Sequence, residues 1–357
     1  MNEFPDKEIS PQSDQHDSER DQGQDQSRGR GRGPRRGAQR STYRQSSRGS
    51  RGGTQYSPRR PGGKIIARRI VVLENPKAGS YKENSVTKLI GGLEANGFEV
   101  ERLRPDSAHQ LADEAESRVR RRPYALIAAG GDGTANLVSR ALISSHVRLG
   151  ILPLGKFNNI FRSLIGKPSV VSALAAINGG ATRRIDHGVV AGQPFLASIS
   201  LGLIPLLTEE LTNRSSPIMG FGWSRLANRV AENLERPRLG IKVDSFRFDI
   251  EPFLVSIHLM PYSIGLPFAP SAVPDDGKFE ALLDMSANGD IVGKFVSGIY
   301  RRKYFFEGEV RLFRGEQISI GPVKGRTLYL DGELIKIPTN TVDVTLVSRK
   351  INVCVLK

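Results

Sequence analysis

The stretch that decides the fold is YALIAAGGDGTAN, residues Tyr124–Asn136. Small and apolar residues, a glycine-rich turn and then apolar residues at helical spacing predict a buried strand, a tight turn and a helix. The helix would bury one face made of Leu137, Val138, Ala141 and Leu142. Backbone N–H groups of such a turn and the positive end of the helix dipole attract anions, and glycine permits their close approach. The stretch therefore predicts a cradle for a phosphate group.

Strands and helices alternate on both sides of this stretch. The predicted strands are residues 70–73, 98–103, 124–129 and 148–152, and a capping box of Ser107 and Gln110 begins one of the helices between them. Such alternation predicts a parallel sheet that is covered by helices on both faces. Three turns each follow a strand, namely 75–80, 130–134 and 153–159. We expect all three at the sheet edge where the ligands of such sheets bind.

The pattern changes to short strands after residue 183. Residues 184–201 predict a hairpin around Gly192, and residues 239–250 alternate with one slip at Asp244. Further strands are predicted at 253–260, 278–285, 310–313, 316–320, 326–337 and 341–347, with helices at about 224–235 and 289–302. The fold class predicted is therefore a three-layer α/β domain with a parallel sheet, followed by an antiparallel β-sandwich domain. We place the domains at 64–183 and 184–357, with a last strand that can pack back on the first domain.

Residues 1–63 are predicted to form a disordered tail, because they hold almost no apolar side chain to bury. Residues 1–27 carry eight Asp and Glu against Lys7 and Arg20, whereas residues 28–63 carry eleven Arg, in Arg-Gly repeats, and no acid. One interpretation is binding of RNA or anionic lipid, since Arg-Gly segments contact phosphates through charge and stacking. The other is a solubilising segment without a specific partner.

The composition of the whole chain limits the classes of function that are expected. The formal charge of +15 over 357 residues predicts an anionic partner, which is a nucleic acid, an anionic membrane surface or a phosphorylated substrate. No apolar run reaches the length of a membrane-spanning helix, and the polar segment Met1–Ser10 predicts no signal peptide. The single cysteine, Cys354, excludes an intramolecular disulfide and fits a core position in a cytoplasmic protein. The five histidines show no metal-ligand spacing, and the oligomeric state is not readable.

A family resemblance rests on five motifs. The glycine turn Gly130–Thr134 resembles the nucleotide loop shared by NAD kinases, phosphofructokinase-like proteins and the diacylglycerol and sphingosine kinases. Four further motifs favour the last group: NPKAG at 75–79, LPLGKFNN at 152–159, APSAVPDDG at 269–277 and DGE at 331–333. Their order and spacing match from about residue 65 to 357. The chain resembles the soluble bacterial branch of these lipid kinases most closely.

The resemblance implies an ATP-dependent kinase that phosphorylates a lipid hydroxyl, such as that of diacylglycerol, at the membrane surface. The residues implied to hold ATP are Asn75, Gly130, Gly131, Asp132, Gly133, Thr134, Ala135, Asn136, Lys156 and Asn158. Asp132 would also position Mg²⁺, and Glu333 would be the general base for the lipid hydroxyl. A structural Mg²⁺ would lie on the Asp276 side chain and on backbone carbonyls near Val273 and Lys278.

The third turn departs from the family pattern. Lys156 stands where the family has threonine, Phe157 replaces a small residue and Asn159 replaces an aspartate. A lysine there could supply positive charge to the phosphates or could block the site. An alternative function is therefore a catalytically altered lipid- or nucleotide-binding protein, recruited to membrane or RNA by its Arg-Gly tail. NAD kinase is a third reading, which the two acidic motifs disfavour.

Two stretches outside these motifs mix aromatic residues with cations or glycines. Residues 218–223 are apolar and broken by glycines, and residues 301–306 place three cations beside three aromatic side chains. Such stretches suit a lipid headgroup surface. We favour a membrane contact for 218–223. For 301–306 we favour a core strand with solvated cations.

Overall fold

The computed structural model describes residues 68–357, except 215, 217 and 304–308, so the predicted tail lies outside the described residues. The strands are β1 (Arg68–Glu74), β2 (Phe98–Leu103), β3 (Ala125–Gly130), β4 (Arg148–Pro153), β5 (Thr182–Val190), β6 (Gln193–Phe195), β7 (Ser198–Gly202), β8 (Leu239–Val243), β9 (Phe246–Ile250), β10 (Leu254–His258), β11 (Phe279–Asp284), β12 (Val310–Gly315), β13 (Gln317–Gly321), β14 (Thr327–Leu330), β15 (Glu333–Lys336) and β16 (Val342–Cys354). The helices are α1 (Glu83–Glu94), α2 (Ala108–Val119), α3 (Asp132–Leu142), α4 (Asn159–Leu164), α5 (Val170–Gly179), α6 (Leu203–Thr212), α7 (Gly222–Glu232) and α8 (Gly289–Tyr300).

The first part of the chain folds as a parallel sheet between two layers of helices. Its strands run in the order β2-β1-β3-β4, and each neighbouring pair is parallel. Helix α1 packs on α5, whereas α2 packs on α3, and right-handed crossovers place these pairs on opposite faces. The central strand β3, Ala125–Gly130, is wholly buried because both faces are covered, whereas the edge strand β2 is mostly partly exposed.

The second part of the chain is antiparallel and builds a sandwich. A six-stranded antiparallel sheet has the order β12-β11-β10-β7-β14-β15. It faces the strands β16, β13, β8 and β9, and buried side chains from both sheets, such as Ile241 and Ile257, form a common core. The predicted fold class, α/β followed by an antiparallel sandwich, is confirmed.

Strand β16 joins the two parts in one ten-stranded sheet. Its end pairs in parallel with β4 through Asn352 and Val353, and two stretches of it, 344–347 and 351–354, pair with β5 on either side of an irregularity. Cys354, at the end of this strand, is buried in the core of the α/β part, as its apolar surroundings predicted. The domain boundary near residue 183 stays a prediction, because β5 begins at Thr182 and lies in the shared sheet.

Three local differences from the sequence predictions have simple causes. Residues 239–250 form two strands, since the slip at Asp244 is a hairpin turn with a left-handed φ of 49°. Residues 326–337 likewise form a hairpin, with its turn at Asp331–Gly332. Helix α6 was not predicted, because its apolar residues nearly encircle it and hide the helical period. None of the helices in the described ranges combines the length and the apolar content that crossing a bilayer requires.

Candidate active site

The three predicted turns meet at the carboxyl edge of the parallel sheet. The Asn75 N–H donates to the Ala129 carbonyl at 2.9 Å, which joins the first turn to β3. The Leu154 N–H donates to the Gly130 carbonyl at 2.8 Å, and the Ser80 N–H donates to the Leu154 carbonyl at 2.8 Å. The turns are therefore one continuous wall, as the alternation of strands and helices predicted.

Glycines are required where the turns touch one another. A Cβ on Gly130 would lie 2.6 Å from the Thr134 Cβ, and a Cβ on Gly131 would lie 3.0 Å from the Gly155 Cα. Gly131 is also the N-cap of α3, and no side chain caps that helix N-terminus in the described part of the chain. The first N–H groups of α3 are thus open to an anion.

Asp132 fastens the glycine turn to the third turn. Its side chain is buried, its Oδ1 accepts from the Ile160 N–H at 2.9 Å, and its Oδ2 accepts from the Asn159 amide at 3.1 Å. Burial raises the pKa of Asp132 to about 6, and the nearby charge of Asp331 adds to that rise. Asn159, which replaces a family aspartate, also donates to the Tyr329 hydroxyl at 3.1 Å. Because residue 159 is an asparagine, it does not place a second carboxylate beside Asp132.

The turn between β14 and β15 is fixed by Asp331. This residue is fully buried and takes a left-handed φ of 45°. Its oxygens accept hydrogen bonds from the Asn136 amide at 2.7 Å and from three backbone N–H groups, those of Leu196, Ala197 and Ser198. Burial raises the pKa of the Asp331 carboxyl, while these donors act in the opposite direction. Asp331 therefore locks the turn against both α3 and the β6–β7 connection.

Glu333 follows two residues later and lies over the glycine turn. Its side chain is exposed, yet a Cβ built on Gly133 would lie 2.7 Å from the Glu333 Oε1. Glu333 and Gly133 are 200 positions apart in the chain, so only the fold brings them together. The carboxylate predicted as a general base thus sits beside the first turn of α3, where the phosphate cradle was predicted.

A cavity of about 490 Å³ opens beside these residues. Its wall includes Asn75, Thr134 and Glu333, and the Asn75 amide donates to the Thr134 hydroxyl at 3.0 Å. Lys77 and Arg104 also line it, although the motifs gave no sign of Arg104. The cavity therefore joins two hydroxyls, an amide, three carboxylates and two cations, and its volume lies within the range of small-molecule sites.

A buried carboxylate behind the cavity was missed by the sequence analysis. Glu74 is fully buried at the end of β1, where it pairs with Arg102 and Arg104 and accepts from the Tyr81 hydroxyl at 2.8 Å. Burial raises the pKa of Glu74, but the hydrogen bonds from Arg102 and Tyr81 outweigh it and hold the pKa below its usual value. The signal was present in the sequence, since a carboxylate directly after an apolar strand needs a partner.

Several predicted ligands support the wall instead of lining the cavity. The Asn136 amide donates to Asp331 and, at 2.9 Å, to the Pro194 carbonyl. Asn158 has its amide bonded to both the N–H and the carbonyl of Gly155, each at 2.8 Å, so it closes the third turn. The Ala135 side chain is buried in the core. Contact of these residues with a nucleotide stays a prediction.

Lys156 turns away from the cavity. Its ammonium donates to the Leu211 carbonyl and, at 3.3 Å, to the Arg214 carbonyl at the end of α6. Phe157 packs against the apolar cluster formed by the helices of the sandwich part. The two residues that depart from the family pattern therefore bind the third turn to α6.

The acidic loop predicted to hold a metal is held by arginines. The Asp276 Oδ1 accepts from the Lys278 N–H at 3.0 Å, and its Oδ2 pairs with Arg314. Arg183 binds Asp275 through two hydrogen bonds of 2.9 and 2.6 Å, and it lowers the pKa of Asp275. Residues 68–357, without the gaps given above, contain no group of three His, Cys, Asp or Glu arranged for a metal. As it stands the loop does not fit a cation, which would have to displace the Arg314 guanidinium. Magnesium on Asp276, Val273 and Lys278 stays a prediction.

Comparisons with known proteins agree with this arrangement. The chain is 26% identical over 293 residues to a diacylglycerol kinase from Staphylococcus haemolyticus, covering 80% of this chain and 88% of the relative. It is 26% identical over 274 residues to one from Staphylococcus saprophyticus, covering 75% and 90%. A putative diacylglycerol kinase structure from Bacillus anthracis shares the fold, with a TM-score of 0.68 at 20% identity over 82% of this chain and 98% of that one.

A family model covers the part of the chain that carries the glycine turn. Residues 69–190 match the model of the diacylglycerol kinase catalytic domain, which spans β1 to β5. The matched segment includes Asn75, the glycine turn and the third turn, so it holds most of the predicted ATP ligands. With the relatives and the shared fold, it confirms the resemblance seen in the sequence. Residues 69–190 are therefore similar to the diacylglycerol kinase catalytic domain.

Proposed function

We propose that this protein is a lipid kinase that transfers the γ-phosphate of ATP, with Mg²⁺, to the hydroxyl of a lipid such as diacylglycerol at the membrane surface. The observation that carries the proposal is the position of Glu333 against Gly133, at the open N-terminus of α3. Phosphoryl transfer is mostly positioning and charge neutralisation, so a base beside a phosphate cradle is the arrangement it needs. The staphylococcal relatives named as diacylglycerol kinases support the choice of lipid.

The nucleotide would lie along the cavity wall. The N–H groups of the first turn of α3 face its phosphates, and Asn75 and Thr134 contribute an amide and a hydroxyl. Lys77 and Arg104 place positive charge beside the same cavity. Bound Mg²⁺ supplies neutralisation of the phosphate charge. Asp132 is the carboxylate that would hold it, because each of its oxygens has a free lone pair after its one hydrogen bond.

Glu333 would act on the lipid. Its carboxylate accepts the proton of the lipid hydroxyl as the hydroxyl oxygen attacks the γ-phosphorus. A general base must reach that proton within hydrogen-bond distance. Asp331 fixes the turn that carries Glu333, so the base keeps its place without a partner on its own carboxylate.

Phosphate transfer from radiolabelled ATP to diacylglycerol in mixed micelles tests the proposal. We expect Glu333→Gln to lower the rate by about 10²–10⁴-fold, the usual loss when a general base is removed. The matched control is Glu235→Gln, since the Glu235 side chain is 86% exposed and lies outside the cavity. Equal labelling by wild type and Glu333→Gln would refute the assignment. Formation of NADP⁺ in place of labelled lipid would indicate NAD kinase.

The alternative, a catalytically altered lipid- or nucleotide-binding protein, depends on Lys156 and Phe157. Lys156 is absent from the cavity wall and bonds to α6, which argues against a blocked site. Calorimetry with ATP·Mg²⁺ separates the two functions. The alternative predicts binding without turnover, and a gain of activity in Lys156→Thr. Its other element, recruitment by the Arg-Gly tail, lies outside the described residues.

A further inference from the structure

The fold brings the stretch 218–223 beside residues 301–303, the described cations of the second stretch. Helices α7 and α8 pack side by side in opposite directions. At one end the Trp223 and Tyr300 rings lie 6.2 Å apart, and at the other the Asn228 amide donates to Asp290 at 2.9 Å. The start of α7 and the end of α8 therefore form one tip. We define the helical tip as residues 218–225 and 300–303.

The helical tip exposes large apolar side chains. Met219 is 73% exposed and Phe221 is 72% exposed, while Trp223 beneath them is only 6% exposed. Gly220 lies between the two exposed residues with a left-handed φ of 52°, which sets them on one projecting turn. The residues that the structure describes leave these side chains uncovered, so their exposure calls for a partner.

Cations surround the apolar side chains. The Arg301 guanidinium lies 4.6 Å from the centre of the Phe221 ring, and Arg225, Arg301 and Arg302 are exposed. The helical tip contains four Arg or Lys and no Asp or Glu. A projecting apolar turn ringed by cations is complementary to a surface with an apolar interior and anionic headgroups.

The helical tip is tied to the candidate active site by one side chain. Lys156 donates to carbonyls at the end of α6, which leads directly into the tip. The same lysine follows Gly155, whose Cα lies against Gly131 in the phosphate cradle. The third turn is therefore fastened to the segment that precedes the tip.

We infer that the helical tip docks on an anionic phospholipid bilayer, with Met219 and Phe221 in the acyl interface and the arginines on lipid phosphates. The choice of a bilayer rests on the proposed function, because a lipid kinase must reach its substrate in a membrane. The residues themselves are assigned by exposure and charge alone.

A fluorescent label at the tip separates this docking from binding by the arginine-rich tail. Cys354 is the single cysteine and is buried, so a dye added to Met219→Cys in the full chain reports that position alone. The environment-sensitive dye NBD is attached there and, as a matched control, to Phe246→Cys, because Phe246 is also exposed, at 64%, and precedes an arginine. Both proteins are titrated, without ATP, with vesicles of equal parts phosphatidylglycerol and phosphatidylcholine.

Insertion predicts a blue-shifted, severalfold brighter signal at position 219 that doxyl-labelled lipid quenches, and no change at 246. Reversing both Arg225 and Arg301 to Glu should raise the half-saturating lipid concentration at least about twentyfold, since each arginine near such a surface contributes about fivefold. The charge-matched control is Arg247→Glu with Arg311→Glu. A water-like signal at 219 in protein that sediments with vesicles overturns the inference, as does a response to RNA but not to vesicles.

Kinase activity provides an independent test of the docking. The Arg225→Glu, Arg301→Glu protein should phosphorylate water-soluble dihexanoylglycerol at the wild-type rate and lose activity only on vesicles. Loss of activity on both substrates would show a structural defect and overturn the inference. A wild-type protein that inserts its tip but phosphorylates neither substrate would instead refute the proposed function and leave the docking intact.

Discussion

Two acidic turns of the second half look alike in sequence and are held by different chemistry. In the turn 331–333, four neutral donors, three of them backbone N–H groups, contact the buried Asp331. In the turn 275–277, Arg183 and Arg314 pair with the two aspartates, and Arg349 donates to the Asp275 carbonyl. Neutral donors therefore hold one turn, and arginine counter-charges hold the other.

The difference follows from what each turn must do. The turn 331–333 presents a carboxylate to a cavity where an anionic nucleotide and its metal are expected, so a fixed arginine there would compete with Mg²⁺ for the same phosphates. The turn 275–277 connects β5 and β16 to the sandwich, and ion pairs hold it there. Neutral donors and arginines both favour the charged carboxylate, but only the arginines add an opposite charge.

The largest expected effect is the loss of the Asp331 carboxylate. Asp331→Ala leaves four buried donors unpaired, so we expect the free energy of unfolding to fall by about 3–5 kcal/mol. Asp331→Asn keeps one acceptor oxygen and tolerates the left-handed φ, and should cost about half as much. Urea denaturation of both variants measures this order. A loss below about 1 kcal/mol in Asp331→Ala would show that water replaces the carboxylate.

The second-largest expected effect is a pH dependence of the unfolding free energy, which Asp132 causes. Its folded pKa is raised from 3.8 to about 6, so the stability linked to its neutral form is present below about pH 4 and lost as pH rises through 6. Relative to Asp132→Asn, which cannot titrate, wild type should lose about 3 kcal/mol between pH 4 and pH 7. Denaturation curves of the two proteins across this range provide the measurement. If the difference in unfolding free energy between the two proteins stays constant over this pH range, the pKa of Asp132 is not raised in the folded state.

The arginine-held turn should show the opposite pH sign. Arg183 lowers the pKa of Asp275, so that ion pair stabilises the fold above the unfolded pKa near 3.8 and is lost as pH falls. Asp275→Asn should cost about 1 kcal/mol at pH 7, less at high salt and nothing at low pH, because the pair is partly exposed. Asp343→Asn, an exposed position on β16, is the control. A salt-independent cost would point to a packing defect instead.

The sequence could show that both turns exist but could not distinguish them. The resemblance implies an acidic turn at residues 331–333, which is a hairpin turn in the structure, yet the donors to Asp331 come from residues more than 130 positions earlier. Arg183 likewise lies 92 positions before Asp275. Local sequence patterns predict strands, helices and turns, because these elements depend on residues that are neighbours in the chain. Counter-charges depend on which distant strands the sheet brings together.

The same limit explains the cavity. The glycine turn, the parallel sheet and the meeting of three turns could be predicted, since each follows from periodicity and from the shared edge of a parallel sheet. Arg104 was not predicted to line the cavity, because its position just after β2 depends on the ion pair with the buried Glu74. Lys156 was predicted beside the phosphates, and only the position of α6 shows where its ammonium binds.

Lys156 adds a third case to the two acidic turns, because it is a cation that binds the end of a helix. Its substitution gives the smallest expected effect on stability. Its ammonium faces the carbonyls at the C-terminus of α6, where a positive charge stabilises a helix by about 0.3–1 kcal/mol. Lys156→Met keeps the stem and removes the charge, so unfolding free energy should fall by that amount in low salt and by less in high salt, with exposed Lys167→Met unchanged. If Lys156→Met is as stable as wild type and binds ATP·Mg²⁺ more weakly, then the ammonium leaves α6 for the phosphates. The third turn would then contribute to the nucleotide site, and Lys156, which the family pattern lacks, would be a nucleotide ligand.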